Sequence, residues 1–226
     1  MAQQQEKSET PQQRESNIFL VTREDNRSLV EAFVQQRFHE DYQADIHSFA
    51  ENMIVLANRH NQPNAVIGYQ NAARGPLFLE QYLDNPIEVE LQKLGCPGVQ
   101  RQQILEVGNL ASNNAGSTRR LILSLISYFY QQGYRWLVLT ATPPVLNSFH
   151  KLGVGLELMP IAAASATRLH TQRDNWGSYY DNHPQVVAGQ FGNGLELLNQ
   201  NRVLASLIQR APQPVPDQLI QFRAPN

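Results

Sequence analysis

The segment between residues 103 and 140 constrains the fold most, because it predicts a strand, a loop, a helix and a second strand in direct succession. Residues 103–110 form an apolar run that Gly108 interrupts, and a glycine inside a strand indicates a bulge or a close backbone approach. Residues 136–140 form a short apolar run typical of a buried parallel strand. The helix between them, predicted over residues 117–132, is apolar on one face and is followed by Gly133. This unit predicts an α/β protein.

Further strands and helices are predicted around this unit. Strands are predicted over residues 17–23, 52–58, 65–73 and 156–162, and the turn at residues 61–64 joins the second and third into a hairpin. Helices are predicted over residues 27–42, 78–83 and 143–152, the last ending at Gly153, with a closing helix over residues 204–208. A hairpin-rich first half is therefore followed by alternating strands and helices.

Both ends of the sequence differ from the middle. Residues 1–16 are polar and rich in glutamine, which predicts a disordered tail. Residues 211–226 carry four prolines, which predict an extended or irregular tail. The 42% of hydrophobic residues suffices for a sizeable core. We therefore expect one folded domain over residues 17–210.

Charge and composition exclude several classes of protein. Lysine and arginine number 18 against 20 aspartates and glutamates, a net charge of −2, which argues against a nucleic-acid binder held by bulk positive charge. The single cysteine, Cys96, excludes an intramolecular disulfide and a cysteine-cluster zinc site. The six histidines lack metal-ligand spacing, so no metal site is predicted. Residues 1–16 contain no apolar core of an export signal, and no apolar run is long enough to span a bilayer, so a cytoplasmic protein is expected.

The loop before the central helix has the features of an anion site. Residues 111–116 are rich in asparagine, serine and glycine, and a helix amino terminus presents unpaired N–H groups and a positive dipole end. Arg119 and Arg120 place positive charge in the first turn, which is unfavourable unless a bound phosphate relieves it. A solvated helix start with two surface arginines is the alternative interpretation.

The order of these elements resembles the GCN5-related N-acetyltransferase fold. The narrower resemblance is to the bacterial thermostable hemolysin family, over about residues 18–198. It is carried by residues 106–111 (EVGNLA), 140–142 (TAT), 147–149 (NSF), 176–180 (WGSYY) and Gly189. The resemblance implies a mixed central sheet with helices on both faces. It also implies that Val107, Gly108 and Asn109 hold the pantetheine of a thioester. The implied residues for its pyrophosphate are Ala115, Gly116, Ser117, Thr118, Arg119 and Arg120, with Asn147 as a further contact.

The first half is also similar to acyl-homoserine-lactone synthases, which have an arginine and phenylalanine on the first helix, an acidic patch and a glutamate on the fourth strand. In this sequence, comparable places are occupied by Arg37, Phe38, Asp41, Asp45 and Glu106. The Ser-Arg pair that follows the strand glutamate in those synthases is Gly108-Asn109 here, so their particular substrate is not implied. Arg37, Phe38 and Trp176 are the residues expected to contact the acceptor.

Acyl transfer to an amine requires a base for the amine proton, and Glu106 is the predicted base. A structural glutamate paired with an arginine is the alternative. Ordinary acetyltransferases carry a tyrosine four residues before a glycine that protonates the leaving thiolate, but Phe149 stands at that position before Gly153. The remaining candidates for the acid are Tyr179, Tyr180, His150 and Thr142. Tyr179 and Tyr180 are grouped with Glu106 as the catalytic candidates.

The sequence therefore predicts an N-acyltransferase that uses a thioester donor, acyl-CoA or the acyl-phosphopantetheine of an acyl carrier protein, and a small amine acceptor. No covalently bound cofactor, no nucleic-acid partner and no transmembrane segment are expected. A long acyl chain would be lined by apolar side chains: Phe33, Phe38, Phe78 and Leu110. The alternatives are a membrane-active, hemolysin-like protein and a protein that binds an acyl thioester without catalysis.

Overall fold

The computed structural model describes residues 17–21, 24–58, 60–151, 156–169, 175–201 and 211–214. The strands are β1 (Asn17–Val21), β2 (Asn52–Ala57), β3 (Pro63–Asn71), β4 (Ile104–Ser112), β5 (Trp136–Ala141), β6 (Met159–Ala163), β7 (Gln185–Gln190) and β8 (Gln213–Pro214). The α-helices are α1 (Glu24–Tyr42), α2 (Ile87–Lys93), α3 (Ala115–Gln131), α4 (Pro143–His150) and α5 (Phe191–Gln200). Short 3₁₀ turns include Phe78–Tyr82, before α2, and Tyr180–Asn182, before β7.

The strands form one mixed sheet with the order β6-β7-β5-β4-β3-β2-β1-β8. Strands β1 to β4 are antiparallel neighbours, β5 lies parallel to β4, and β7 is antiparallel to both β5 and β6. The parallel β4–β5 pair is connected through α3, which confirms the predicted strand–helix–strand unit.

Helices cover both faces of the sheet. Helices α3, α4 and α5 contribute Leu121, Phe149 and Leu198 to one apolar core. On the opposite face, α1 packs through Val30 and its neighbours, and α2 packs through Ile87 and Leu91 in a third cluster. This arrangement confirms the predicted fold class, and it follows from strands β2 to β5 being buried on both sides.

The predicted elements compare closely with the observed ones, but four were missed. The sequence did not predict α2, β7, α5 and β8. In α5, Gly192 and Gly194 lower the helix propensity, and Gly194 lies where a Cβ would come within 3.4 Å of Ile126 on α3. Close packing of two helices therefore overrides the local preference of this segment.

Several expectations fall on residues outside the described part of the chain. These are the tail over residues 1–16, the helix end at Gly153, the closing helix over residues 204–208 and residues 215–226. Within the expected carboxy-terminal tail, Gln213 and Pro214 form β8 beside β1.

Strands β4 and β5 separate part of the way along their length. Their pairing runs from Ile104 opposite Trp136 to Val107 opposite Leu139. Beyond that point β4 stays paired with β3, and β5 stays paired with β7. The two strands thus open into a V whose edges carry main-chain groups without a neighbouring strand, and this opening positions the candidate site.

Candidate active site

A cavity of about 800 Å³ lies in the opening between β4 and β5. Residues 106–112 of β4 and 139–141 of β5 form its base, with the amino terminus of α3 on one side and the carboxy-terminal turns of α1 on the other. Further walls come from residues 48–50, 76–82, 144–148 and 176–182, with Gln70 of β3. A concave site of this size, lined by both apolar and polar side chains, is suited to binding a small molecule.

Glu106 is the most buried carboxylate in this cavity, with 8% of its surface exposed. The backbone N–H of Phe78 donates to its Oε2 at 2.8 Å, and the N–H of Leu79 donates to its Oε1 at 2.8 Å. Burial raises the pKa of Glu106 to about 7, because the effect of desolvation exceeds that of the two N–H hydrogen bonds, which lower the pKa. Glu106 is therefore a carboxyl group poised to exchange a proton near neutral pH, as a general base requires.

Among the described residues, the hydrogen-bond donors to Glu106 are backbone N–H groups, and no arginine pairs with it. The alternative that Glu106 is a structural glutamate paired with an arginine is therefore wrong for this part of the chain. The 3₁₀ turn that carries these donors is fixed by Glu80 and Arg101. Arg101 bonds both carboxylate oxygens of Glu80, at 2.6 and 2.8 Å, and also the carbonyl of Ala72 at 2.8 Å. Burial alone would raise the pKa of Glu80, but the bonds from Arg101 and the backbone lower it. Arg101 thus keeps the turn in place beneath Glu106.

An aromatic wall closes the cavity beside α1: Phe38, Tyr42, Phe78, Trp176 and Tyr179. Ring centroids in this wall lie 5.2 to 6.4 Å apart. Gly177 permits the wall to form, because its φ is +50° and a Cβ there would lie 2.1 Å from the carbonyl oxygen of Tyr42. The WGSYY pattern thus has a physical cause in this chain: its glycine allows a turn to pack directly against the end of α1.

The irregularity in β4 falls on Asn109, with φ of +47°, and not on the neighbouring Gly108. The register between β3 and β4 shifts here, so Asn109 is the extra residue of a bulge. Its side chain accepts from the N–H of Ala50 at 2.9 Å and donates to the carbonyl of Ser48 at 3.3 Å. Asn109 therefore anchors the loop before β2 to the rim of the cavity.

The amino terminus of α3 is capped by the protein itself. The side chain of Asn114 accepts from the N–H of Ser117 at 2.9 Å and from its hydroxyl at 3.1 Å. Asn64 also donates to that hydroxyl, at 2.7 Å. Ala115 and Thr118 line the cavity, so the helix start faces it even though part of its donor capacity is used by the cap.

Two buried polar atoms lack a hydrogen-bond partner among the described residues: Nε of Arg37 and Oγ1 of Thr140. Both residues line the cavity. Since buried polar groups are nearly always hydrogen-bonded, unpaired ones at one cavity indicate groups that a ligand satisfies. Thr140 lies two residues beyond Val138, the β5 residue in register with Glu106, so Thr140 and Glu106 share one face of the sheet.

The cavity brings together most of the residues expected from the sequence. It is lined by Arg37, Phe38, Trp176, Glu106, Val107, Gly108, Asn109, Ala115, Thr118, Tyr179 and Thr142, and also by Phe78 and Leu110. It is not lined by Tyr180, Gly116, Ser117, Arg119, Arg120, Asn147, His150 or Phe33. Arg119 and Asn147 are exposed, and Tyr180 lies behind Tyr82, with 2.6 Å between their hydroxyl oxygens.

Sequence reasoning missed Tyr82, Asn114 and Thr140 as cavity residues. Thr140 carried a usable signal, because it ends an apolar parallel strand, where side chains reach the ligand edge of an α/β sheet. Tyr82 carried no such signal: its position depends on the fold of residues 72–103.

Two features are absent from the described residues. They contain no cluster of three or more histidine, cysteine, aspartate or glutamate residues suited to a metal ion. Among the helices that the structure describes, none is both long and apolar enough to cross a membrane.

The model of a protein family described as thermostable hemolysin matches residues 21–195. None of the curated protein sequences matches the chain. Among solved structures, TofI in an apo form is similar with a TM-score of 0.58 and 12% identity, over 83% of this chain and 99% of that one. FeeM, an N-acyl amino acid synthase from uncultured soil microbes, has a TM-score of 0.57 and 16% identity, over 84% of this chain and 99% of its own.

BjaI, a CoA-dependent acyl-homoserine lactone synthase solved with SAM and isopentyl-CoA, is similar with a TM-score of 0.54 and 11% identity, over 89% of this chain and 95% of its own. At identities this low, the likeness shows the fold alone. That fold is the GCN5-related N-acetyltransferase type.

Proposed function

This chain belongs to the thermostable hemolysin family, and from its fold and its cavity we propose that it is an N-acyltransferase, which moves an acyl group from a thioester to an amine. The observation that carries the proposal is Glu106: a buried carboxyl group with a pKa of about 7, facing a cavity at the point where two parallel strands separate. A carboxyl group buried without a cation is unfavourable for stability, so a role in proton transfer explains its presence.

The donor is a thioester on CoA or on an acyl carrier protein. Its pantetheine arm occupies the V between β4 and β5, where amide groups of the arm can pair with the strand edges beyond Val107 and Leu139. The amino terminus of α3, with Ala115 and Thr118 at the cavity, faces the phosphate end of the arm. Both donors share this arm, and the site is compatible with either.

Glu106 serves as the base for the acceptor. The ammonium group of the acceptor transfers one proton to the Glu106 carboxylate, directly or through water, and becomes a neutral amine. The nitrogen then attacks the thioester carbonyl carbon, the new C–N bond forms, and the C–S bond breaks as the thiolate leaves. The second proton of the nitrogen ends on the thiolate, so the products are an amide and a free thiol.

The surrounding hydroxyl groups assist these steps. The Thr140 hydroxyl, which has no hydrogen-bond partner among the described residues, can donate to the carbonyl oxygen as negative charge develops there. Burial raises the pKa of Tyr179, with its hydroxyl 3.4 Å from the carbonyl oxygen of Thr140. Tyr179 therefore keeps its proton at neutral pH, so its hydroxyl can hydrogen-bond the leaving sulfur while the thiolate takes the proton that the nitrogen loses. Tyr180 supports this wall through its bond to Tyr82.

The experiment measures thiol release when the purified protein is mixed with acyl-CoAs of graded length, or with acyl carrier proteins, and a panel of amines. We expect turnover with at least one pair, and a loss of about a hundredfold or more in E106Q. The matched control is E51Q, an equivalent change at a surface glutamate whose side chain is 53% exposed. Equal turnover of E106Q and the unmodified protein would remove Glu106 from the mechanism.

Lysis of red cells by the purified protein tests the alternative of a membrane-active, hemolysin-like protein. If the protein lyses red cells without any acyl donor, and releases no thiol with any donor and amine, the acyltransferase proposal is wrong. Saturable donor binding without any turnover would identify a thioester-binding protein instead.

A further inference from the structure

The acceptor side of the cavity carries an excess of negative charge. Arg37, Asp41 and Glu106 are the charged residues that line it. The guanidinium of Arg37 pairs with Glu40 and, at 3.1 Å, with Asp41, so one positive charge meets two carboxylates on the same helix. A second anion placed here would be repelled, whereas a cation would be attracted.

The end of α1 and the aromatic wall favour a cation at the same place. Arg37, Phe38, Asp41 and Tyr42 belong to the last two turns of α1, where the carbonyl groups give the negative end of the helix dipole. The rings of Phe38, Tyr42 and Trp176 lie around this end, and the faces of aromatic rings attract an ammonium group.

Arg37 contributes one further requirement. Its two Nη atoms donate to Glu40 and Asp41, while Nε is buried and has no hydrogen-bond partner in the part of the chain that the structure describes. Nε is only a hydrogen-bond donor, so an oxygen of the acceptor is needed to satisfy it. Because the charge of Arg37 is already matched, a neutral carbonyl or hydroxyl oxygen suits this position better than a carboxylate.

We propose that the acceptor is a protonated amine that carries a neutral hydrogen-bonding oxygen and no carboxylate, bound between Asp41, the Nε atom of Arg37 and the aromatic wall. This inference rests on the acyl transfer proposed above, since it names the second substrate of that reaction. An amino-acid amide or an amino alcohol has this chemistry, whereas a free amino acid lacks it.

The test uses three acceptors of matched shape: leucine, leucinamide and isopentylamine, with the corresponding phenylalanine series as a second set. The kcat/KM value of each acceptor is measured in the presence of the acyl donor that supports turnover, and the values are compared with one another. The binding of each acceptor is measured separately by calorimetry. We expect kcat/KM to fall from the amide to the simple amine and then to the amino acid, with at least about a tenfold difference between the amide and the amino acid. An amino acid that equals or exceeds its amide would overturn the inference.

Two variants locate the preference in the structure. D41N removes the more exposed of the two carboxylates that line the cavity, and it is expected to reduce the ratio of the kcat/KM for the amide to that for the amino acid several-fold. Its control, D45N, makes the same change at a side chain that is 67% exposed and outside the cavity, and should keep the ratio. R37K keeps the charge but lacks Nε, so the advantage of leucinamide over isopentylamine should shrink. An unchanged ratio in D41N would refute the site.

The binding measurement separates the two proposals. If amides bind and amino acids do not, but no acyl group is transferred, the acceptor site stands and the acyltransferase proposal fails. If acylation occurs with amino acids preferred, the acyltransferase proposal stands and this inference fails. If neither amide binds with or without a donor, this inference is wrong.

Discussion

The buried carboxyl group of Glu106 should make the stability of the protein fall as pH rises through neutrality. In the folded state its pKa is raised from an ordinary value of 4.5 to about 7. The folded state therefore binds a proton more readily than the unfolded chain does. The stabilisation is complete below about pH 4.5 and is lost as pH rises through about 7.

The size of the effect follows from the difference between the two pKa values. At about 1.4 kcal/mol for each pH unit, it amounts to about 3 kcal/mol. In E106Q this pH dependence is absent. Glutamine also offers one acceptor oxygen to the two N–H groups of Phe78 and Leu79, so one of them loses its partner, which costs about 1–3 kcal/mol at every pH.

The assay is urea unfolding followed by tryptophan fluorescence, at about pH 5 and about pH 8.5. From about pH 5 to about pH 8.5, the unmodified protein should lose about 2–3 kcal/mol of unfolding free energy relative to E106Q. The control E51Q should follow the unmodified protein at both pH values, because its side chain is exposed. Parallel changes in E106Q and the unmodified protein would refute the reasoning, since they would mean that Glu106 is not held in a desolvated site.

Substitutions at four further positions have expected outcomes. G177A should lower the free energy of unfolding by more than about 2 kcal/mol, because its Cβ would meet the Tyr42 carbonyl. G98A, at a positive φ in open space, should cost about 1 kcal/mol in the same urea titration. T140V should raise stability by up to about 1 kcal/mol, since it removes an unpartnered hydroxyl, and should lower kcat in the thiol-release assay. R101M should lower the free energy of unfolding and shift the pH profile of kcat, because the turn that donates to Glu106 loses the ion pair of Arg101 with Glu80. R101K should restore part of the stability and part of the pH profile.

The strand–helix–strand unit was predictable because its pattern is local. Period-3.6 spacing of Leu125, Ile126 and Phe129, and the apolar run of β5, are properties of neighbouring residues. The position of Glu106 on the strand before the loop could likewise be obtained by inspection. In α5, by contrast, two glycines argued against a helix that exists because it packs on α3.

The candidate site was predictable only in part. The segments that meet at the cavity were identified, and so were Glu106, Asn109 and Tyr179. The sequence placed the strand irregularity at Gly108, while the structure has the bulge at Asn109, whose amide bonds the loop at residues 48–50. Those bonds join residues about sixty positions apart, and no local pattern reveals such pairs.

The strand–helix–strand unit over residues 103–140, the lack of an intramolecular disulfide and the family follow from the sequence alone, because they depend on local periodicity, composition and motifs. The elements α2, β7, α5 and β8 do not follow from it. The surroundings of Glu106 depend on the tertiary fold: the N–H groups of Phe78 and Leu79, the lack of a paired cation among the described residues and the resulting pKa of about 7. The tertiary fold likewise decided that, among the described residues, Arg37 and Thr140 each leave a buried donor unpaired at one cavity. Desolvation and hydrogen bonding depend on which distant segments pack together, and that packing is a property of the whole fold.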